Sequence, residues 1–197
     1  ITEQSLLETA HAIRTQNLSV QAEHGIAIIP SNDFSLYDQV LDTICMLGAV
    51  PPRYQQAGDP FDLSLYFAMA RGKQDAQVDL PAMEMTKWFN TNYHHIVPEI
   101  EPTTYFSFFY TKVVDEFKEA KTAGYQTRPV LLGPLTFLLL SKHHTDGFQP
   151  LSKLEELLPV YQTILGTLHD AGAEWVQIDE PMLVKDLTPE IQSAYRS

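Results

Sequence analysis

Short apolar runs alternate with longer segments of helical periodicity along this chain, and that alternation is the feature that most restricts its fold. Apolar runs predict strands at about residues 26–30, 129–133 and 174–179, and a more polar stretch at about 84–90 is the fourth predicted strand. Continuous apolar strands that alternate with amphipathic helices are typical of a parallel sheet covered by helices. The sequence therefore predicts an α/β fold, built on either an open parallel sheet or a βα barrel.

Helix signals support the same architecture. The strongest predicted helix has apolar residues along one face from Leu154 to Leu168, and Ser152 and Glu155 have the spacing of a capping box at its start. Another helix is expected over about residues 36–47. Its beginning lies just after the polar residues Ser31–Asp33, which could cap it.

Polar residues follow each predicted strand. In parallel sheets and barrels, functional groups collect where the strands end, at the carboxyl edge. In this chain the residues expected at that edge are Asp33, Lys87–His94, Thr136 and Asp179–Glu180. No Gly-x-Gly-x-x-Gly or phosphate-loop pattern follows the first strand, which argues against a nucleotide-binding fold.

The charge balance excludes some classes of partner. The 197 residues carry a formal net charge of -12, so a basic surface for nucleic acid or for an anionic membrane is not expected. The longest apolar run, Pro129–Leu140, is too short to cross a bilayer. The single cysteine, Cys45, lies among apolar residues and is expected to be buried and reduced, which favours a cytoplasmic location.

The run Met83–Glu99 is the densest in hydrogen-bonding side chains. Its periodicity is poor for either regular structure, since neither face of a strand would be purely apolar, and a strand that ends in a polar loop fits best. Lys87 is the only cation between Lys73 and Lys112. At the mouth of a barrel its ammonium group would attract carboxylates or phosphates. The alternative is a structural ion pair with a nearby acid such as Glu84.

Asp179 and Glu180 are adjacent, so their side chains should point to opposite faces while the strand lasts. A two-carboxylate acid–base pair is therefore not expected. Asp179, at the end of the strand, is the better candidate for binding a substrate ammonium group. The alternative is that either carboxylate caps the segment after Pro181.

Two histidine pairs, His94–His95 and His143–His144, suggest a metal site at first sight. Neither pair has the Cys or His partners that zinc sites show at short spacings. Because no serine lies in a nucleophile elbow and Cys45 has no nearby histidine, covalent catalysis has no support either. No metal ligand and no catalytic residue is predicted in this chain.

Three motifs together resemble the N-terminal domain of the cobalamin-independent methionine synthases. They are Glu84–His94, with the sequence EMTKWFNTNYH, Pro129–Pro134, with PVLLGP, and Glu174–Pro181, with EWVQIDEP. The resemblance extends over essentially the whole chain, and the first motif is the most specific of the three.

The resemblance implies a zinc enzyme that transfers a methyl group from 5-methyltetrahydrofolate polyglutamate to homocysteine, forming methionine. Enzymes of this family consist of two TIM barrels that face each other, and the zinc ligands and the homocysteine site belong to the C-terminal barrel. By similarity, Lys87 corresponds to a lysine that contacts the folate polyglutamate. Asp179 corresponds, through the internal duplication, to the aspartate that holds the amino acid in the other barrel, so here it would be a vestige.

The resemblance also implies that residues 1–197 are part of the N-terminal barrel, with about four of eight strands present. The family's first strand would precede Ile1, and the last strands and the C-terminal barrel, a partner of this one, would follow Ser197. Such a fragment alone is expected to be inactive. The alternative is a stand-alone, non-catalytic binding or scaffold module derived from the barrel.

Overall fold

A three-stranded parallel sheet with helices packed on it forms the centre of the computed structural model, which describes residues 2–57, 62–75 and 79–196. The strands β1 to β7 are Ile29–Ser31, Lys73–Gln74, Asp79–Leu80, Met85–Lys87, His94–Ile96, Thr127–Leu132 and Gln177–Asp179. The α-helices α1 to α7 are Glu3–Glu23, Gln39–Met46, Leu63–Arg71, Lys112–Thr122, Pro134–Leu139, Leu154–Asp170 and Pro189–Ala194. Short 3-10 helices cover Pro52–Ala57, Pro150–Lys153 and Pro181–Val184.

The central sheet has the strand order β1-β6-β7, and both pairings are parallel. Ile29 of β1 is paired with Thr127 of β6, and Leu132 at the end of β6 is paired with Asp179 at the end of β7. Three of the four predicted strands are therefore confirmed, with bounds shifted by a few residues. The α/β class is confirmed as well, although the described residues form no closed barrel.

The fourth predicted strand, over residues 84–90, is wrong as a member of the parallel sheet. Its residues form β4, which pairs antiparallel with β5, with Met85 opposite Ile96 and Lys87 opposite His94. The chain reverses because Phe89 has a φ of 53°, which is unusual for an aromatic residue. The N–H group of Trp88 then donates to the carbonyl of Tyr93 at 2.7 Å and closes the turn. We refer to residues 85–96 as the hairpin.

Helices cover one face of the central sheet. Ile29 of β1 packs with Leu18 of α1 and Ala120 of α4 in a small buried cluster. On this side the hydroxyl of Ser31 donates to that of Thr127 at 3.2 Å. The larger apolar core is formed mainly by the five helices α2 to α6 with β6. The opposite face of the sheet is left to line a cavity.

The helix starts are only partly as expected. Asp38, not Ser31–Asp33, caps α2, because its side chain accepts from the N–H of Leu41 at 2.9 Å. The capping box at Ser152 and Glu155 is also wrong. A 3-10 turn that begins at Pro150 precedes α6, and the hydroxyl of Ser152 donates back to the carbonyl of Gln149. No helix in the described part of the chain has the length and apolar character needed to cross a membrane.

Candidate functional site

A cavity of about 290 Å³ lies along the open face of the sheet and extends to its carboxyl edge. Its charged lining consists of Asp33, Asp42, Asp179, Lys112 and Arg128. Alternate residues of β6 and β7 point into it, as expected for the side chains on one face of a sheet. The cavity therefore brings Asp33 and Asp179, two of the residues predicted at this edge, together with two cations that the sequence did not single out.

Asn32 holds the loop that enters the cavity from β1. It has a φ of 59°, a left-handed conformation that asparagine tolerates better than most residues. Its side-chain amide donates to the carbonyl of Val130 at 2.7 Å, and its side-chain oxygen accepts from the Nζ of Lys112 at 2.8 Å. These bonds tie the end of β1 to β6 and α4. The neighbouring Asp33 has a pKa above its usual range, mainly because of desolvation.

Lys112 is committed to internal partners. Its Nζ lies 3.2 Å from the Oδ2 of Asp42 and 3.4 Å from the Oε1 of Glu116. Burial raises the pKa of Glu116, and within the described residues its Oε2 has no hydrogen-bond partner. The charge of Lys112 therefore compensates buried carboxylates and is not free for a ligand.

Arg128 orients Asp179 through a glutamine. The Nε of Arg128 donates to the side-chain oxygen of Gln177 at 2.8 Å, and the amide of Gln177 donates to the Oδ1 of Asp179 at 2.8 Å. A second guanidinium nitrogen of Arg128 donates to the carbonyl of Ile28. Asp179 thus faces the cavity with its carboxylate held by a neutral donor, an arrangement that leaves its negative charge available to a cation.

Glu180 has a different environment from its neighbour. Its carboxylate accepts from the backbone N–H groups of Leu135 and Thr136 at 3.1 and 2.7 Å, and from the hydroxyl of Tyr195 at 3.2 Å. The two adjacent carboxylates point in different directions, as the strand alternation predicts. Glu180 stabilises the first turn of α5, whereas Asp179 lines the cavity.

Lys87 lies on β4 and is exposed to solvent. Among the residues that the structure describes, its ammonium group has no ion pair and no hydrogen bond. The alternative interpretation, an ion pair with Glu84, is not what these residues form. The carboxylate of Glu84 instead lies 2.8 Å from the Nζ of Lys142, which is also 3.7 Å from Glu99.

The hairpin that carries Lys87 lies at the same end of the molecule as the cavity. The ring of Phe89, at its turn, has the Nζ of Lys185 5.3 Å from its centroid, and Lys185 directly follows the 3-10 helix after β7. The hydroxyl of Tyr93 donates to the Oδ1 of Asp38, the cap of α2, at 2.8 Å. Lys87 itself does not line the cavity, so the hairpin forms a separate, neighbouring surface.

The histidine pairs have structural surroundings. His95 is buried against the ring of Trp88, burial lowers its pKa, and neither ring nitrogen has a hydrogen-bond partner within the described residues. His144 lies at a loop in which its N–H and ring nitrogen contact Glu101 at 2.7 and 3.0 Å. In the part of the chain that the structure describes, no group of three or more His, Cys, Asp or Glu side chains could hold a metal ion.

Sequence reasoning missed Asp38, Lys112 and Arg128. Asp38 could have been proposed as a helix cap, because it stands three residues before the first buried leucine of α2. Its bond to Tyr93 has no local signal, since the two residues are 55 positions apart. The roles of Lys112 and Arg128 likewise depend on partners that are distant in sequence.

Comparison with known proteins gives a consistent result. Residues 1–197 match the family model described as the N-terminal domain of cobalamin-independent synthase. A relative from Parvibaculum lavamentivorans, named 5-methyltetrahydropteroyltriglutamate–homocysteine methyltransferase, is 59% identical over 185 residues, which are 94% of this chain and 24% of the relative. Proteins of the same name from Caulobacter vibrioides and Salinibacter ruber are each 50% identical, over 97% and 98% of this chain and 27% and 26% of their own lengths.

The chain spans about a quarter of the length of these curated relatives. The family match covers every residue, including the three motifs at Glu84–His94, Pro129–Pro134 and Glu174–Pro181 on which the resemblance was based. The chain therefore belongs to the cobalamin-independent synthase family and matches its N-terminal domain.

Proposed function

We propose that this chain is part of the N-terminal barrel of a methionine synthase, and that it positions the folate substrate by its polyglutamate tail. In the complete protein, the methyl group of 5-methyltetrahydrofolate polyglutamate is transferred to homocysteine. The names of the relatives support this substrate pair. The contribution of this part is orientation of the methyl donor, which is a proximity effect.

The observation that carries the proposal is the free ammonium group of Lys87. It is exposed, and within the described residues it has no acidic partner, although the chain as a whole has a net charge of -12. An anionic tail would be repelled by most of this surface, so a local cation decides where it can bind. A glutamate tail offers several carboxylates, any of which can pair with a lysine that no internal acid already occupies.

The sheet edges support the proposed domain organisation. Among the described residues, β1 and β7 are each paired on one side only. Ile178 and Trp175, in and just before β7, are 45% and 60% exposed. Open edges and exposed apolar residues of this kind are normally covered in a stable protein. We therefore assign residues 1–197 to a partial TIM barrel whose remaining strands, and the zinc barrel, are supplied by the rest of the protein.

Zinc is implied by the family but does not fit the described part of this chain, which holds no suitable group of ligands. We assign no step of the reaction to a metal here. Asp179 is a second candidate contact: its carboxylate faces the cavity and could hold an ammonium group. Catalytic residues are not proposed in this chain.

The test is replacement of Lys87 with alanine in the complete protein, followed by steady-state kinetics with triglutamate and monoglutamate forms of 5-methyltetrahydrofolate. We expect the KM for the triglutamate to rise about two- to fivefold, the range of an exposed ion pair, with the KM for the monoglutamate unchanged. Lys118→Ala is the matched control, because it removes the same charge from an exposed position on α4. An equal rise in KM for both substrates would show that Lys87 does not bind the polyglutamate tail.

The alternative, a non-catalytic binding or scaffold module, is distinguished in the same assays. A complete protein that binds folate triglutamate but forms no methionine from homocysteine would favour the module. Methionine formation that depends on both substrates would favour the transferase.

A further inference from the structure

One buried carboxylate joins the hairpin to the rest of the protein. Asp38 is 1% exposed. Its Oδ1 accepts from the hydroxyl of Tyr93 at 2.8 Å, and its Oδ2 accepts from the backbone N–H groups of Ile96 at 3.0 Å and Leu41 at 2.9 Å. The same side chain therefore caps α2 and holds both the turn and the returning strand of the hairpin.

Asp38 is itself held in place from the opposite side. Its backbone N–H and that of Tyr37 donate to the hydroxyl of Tyr66 at 3.4 and 3.2 Å. The Tyr66 hydroxyl in turn donates to the Oδ1 of Asp42 at 2.7 Å. Because Tyr66 is 1% exposed, the anchor of the hairpin lies in the buried part of the molecule.

The turn of the hairpin has few other attachments. The remaining side-chain hydrogen bonds of residues 88–94 are local, such as that from the hydroxyl of Thr91 to the carbonyl of Trp88. Apart from the contact between Phe89 and Lys185, the hydroxyl of Tyr93 makes the polar side-chain link between this turn and the body of the protein in the described residues, through Asp38 and the backbone N–H of Gln39.

Lys87 is coupled to this link by the strand pairing. Lys87 is opposite His94, and the next residue, Trp88, donates its N–H to the carbonyl of Tyr93 at 2.7 Å. The Trp88 ring also packs edge-on against the Tyr93 ring. A displacement of Tyr93 would therefore displace the end of β4 that carries Lys87.

We infer that Asp38 and Tyr93 are positioning residues that order the hairpin and so present the Lys87 ammonium group to the anionic tail of the substrate. This inference rests on the proposed function of Lys87. It predicts that loss of the Tyr93 hydroxyl weakens recognition of the tail without any change in the charge of the protein.

The experiment is a double-mutant cycle in the complete protein, with Tyr93→Phe, Lys87→Ala and the combined variant. We expect Tyr93→Phe to raise the KM for the triglutamate, by no more than the two- to fivefold rise expected for Lys87→Ala. The kcat and the KM for the monoglutamate should stay unchanged. The combined variant should show no rise beyond Lys87→Ala alone, because the positioned group is already absent. Tyr125→Phe, at a half-buried tyrosine outside the hairpin, is the control.

Hydrogen exchange gives an independent measurement. In Tyr93→Phe, the amides of residues 88–94 should exchange faster, while those of β6 keep their protection. If Lys87→Ala raised only the KM for the triglutamate and Tyr93→Phe left that KM unchanged, the positioning role would be overturned and the proposed function would stand. Effects that add fully in the combined variant would also overturn it. If Lys87→Ala instead changed the KM for the triglutamate and the monoglutamate equally, or changed neither, the proposed function would be refuted, and the positioning role with it.

Discussion

The carboxylate of Glu180 accepts a hydrogen bond from the backbone N–H of Thr136 at 2.7 Å, although the two residues are 44 positions apart. Its other oxygen accepts from the N–H of Leu135. The first turn of α5 has no side-chain cap of its own, so a residue just after β7 satisfies its amides. The turn after β6 and the end of β7 are thereby fixed to each other.

Gly133→Ala should destabilise the protein by breaking that contact. A Cβ at Gly133 would lie 2.1 Å from the Cδ of Glu180, so the carboxylate would have to swing away and lose both backbone donors. We expect the free energy of unfolding to fall by about 1–3 kcal/mol, measured by urea denaturation. Gly166→Ala is the control: its Cβ would meet nothing within 4 Å in α6, so stability should rise by about 0.5–1 kcal/mol. If the two substitutions changed the free energy of unfolding equally, the contact between Glu180 and the first turn of α5 would not contribute to stability.

Lys112→Met should be among the most damaging changes outside the apolar core. It leaves the buried carboxylate of Glu116 and its neighbour Asp42 without their shared cation. Because Arg14 still lies 3.6 Å from the Oε1 of Glu116, the cost should be at most about 3–5 kcal/mol at pH 8. Because the pKa of Glu116 is raised in the folded protein, protonation at lower pH favours the folded state. The loss should therefore be smaller at pH 5 than at pH 8. Lys118→Met, at an exposed position on the same helix, should change stability by less than about 0.5 kcal/mol.

Glu101 should contribute to stability in a defined pH range. The hydroxyl of Thr145, together with the N–H of His144, lowers the pKa of Glu101 from an ordinary 4.5 to about 2. Its contribution is fully present above the unfolded pKa and is lost as pH falls from there towards 2. The urea midpoints of the parent protein and Glu101→Gln should thus differ at pH 7 and converge as pH approaches 2. Glu155→Gln, on an exposed face of α6, should show no such convergence.

Local sequence was sufficient to predict the central strands. Residues 129–132 and 175–178 are apolar or nearly so and are bounded by glycine or charged residues, which is the local pattern of a buried strand. The hairpin could not be predicted in this way. Its reversal depends on Phe89 in a left-handed conformation, and aromatic residues give no local signal for that geometry.

The geometry of the candidate site could be predicted only where it depends on residues that are neighbours in sequence. Strand alternation alone predicts that Asp179 and Glu180 diverge, and they do. The bond between Tyr93 and Asp38 depends on the folded arrangement, and one aspartate among 25 acidic residues carries no pattern that would identify it. Whether Lys87 pairs with Glu84 likewise depends on the folded arrangement, because Glu84 is paired with the distant Lys142.

The pairing of β1 with β6 also constrains how the chain acquires its structure. The contact between Asn32 and Val130 spans 98 positions, whereas the two strands of the hairpin are close neighbours in sequence. Contacts of long sequence separation form late, because the intervening chain must first lose its conformational freedom. During synthesis, the hairpin and α1 can therefore take shape well before the central sheet exists. We expect the pairing of β1 with β6 to form only after the roughly hundred residues between them have been made, so this contact is among the last within the described residues to become stable.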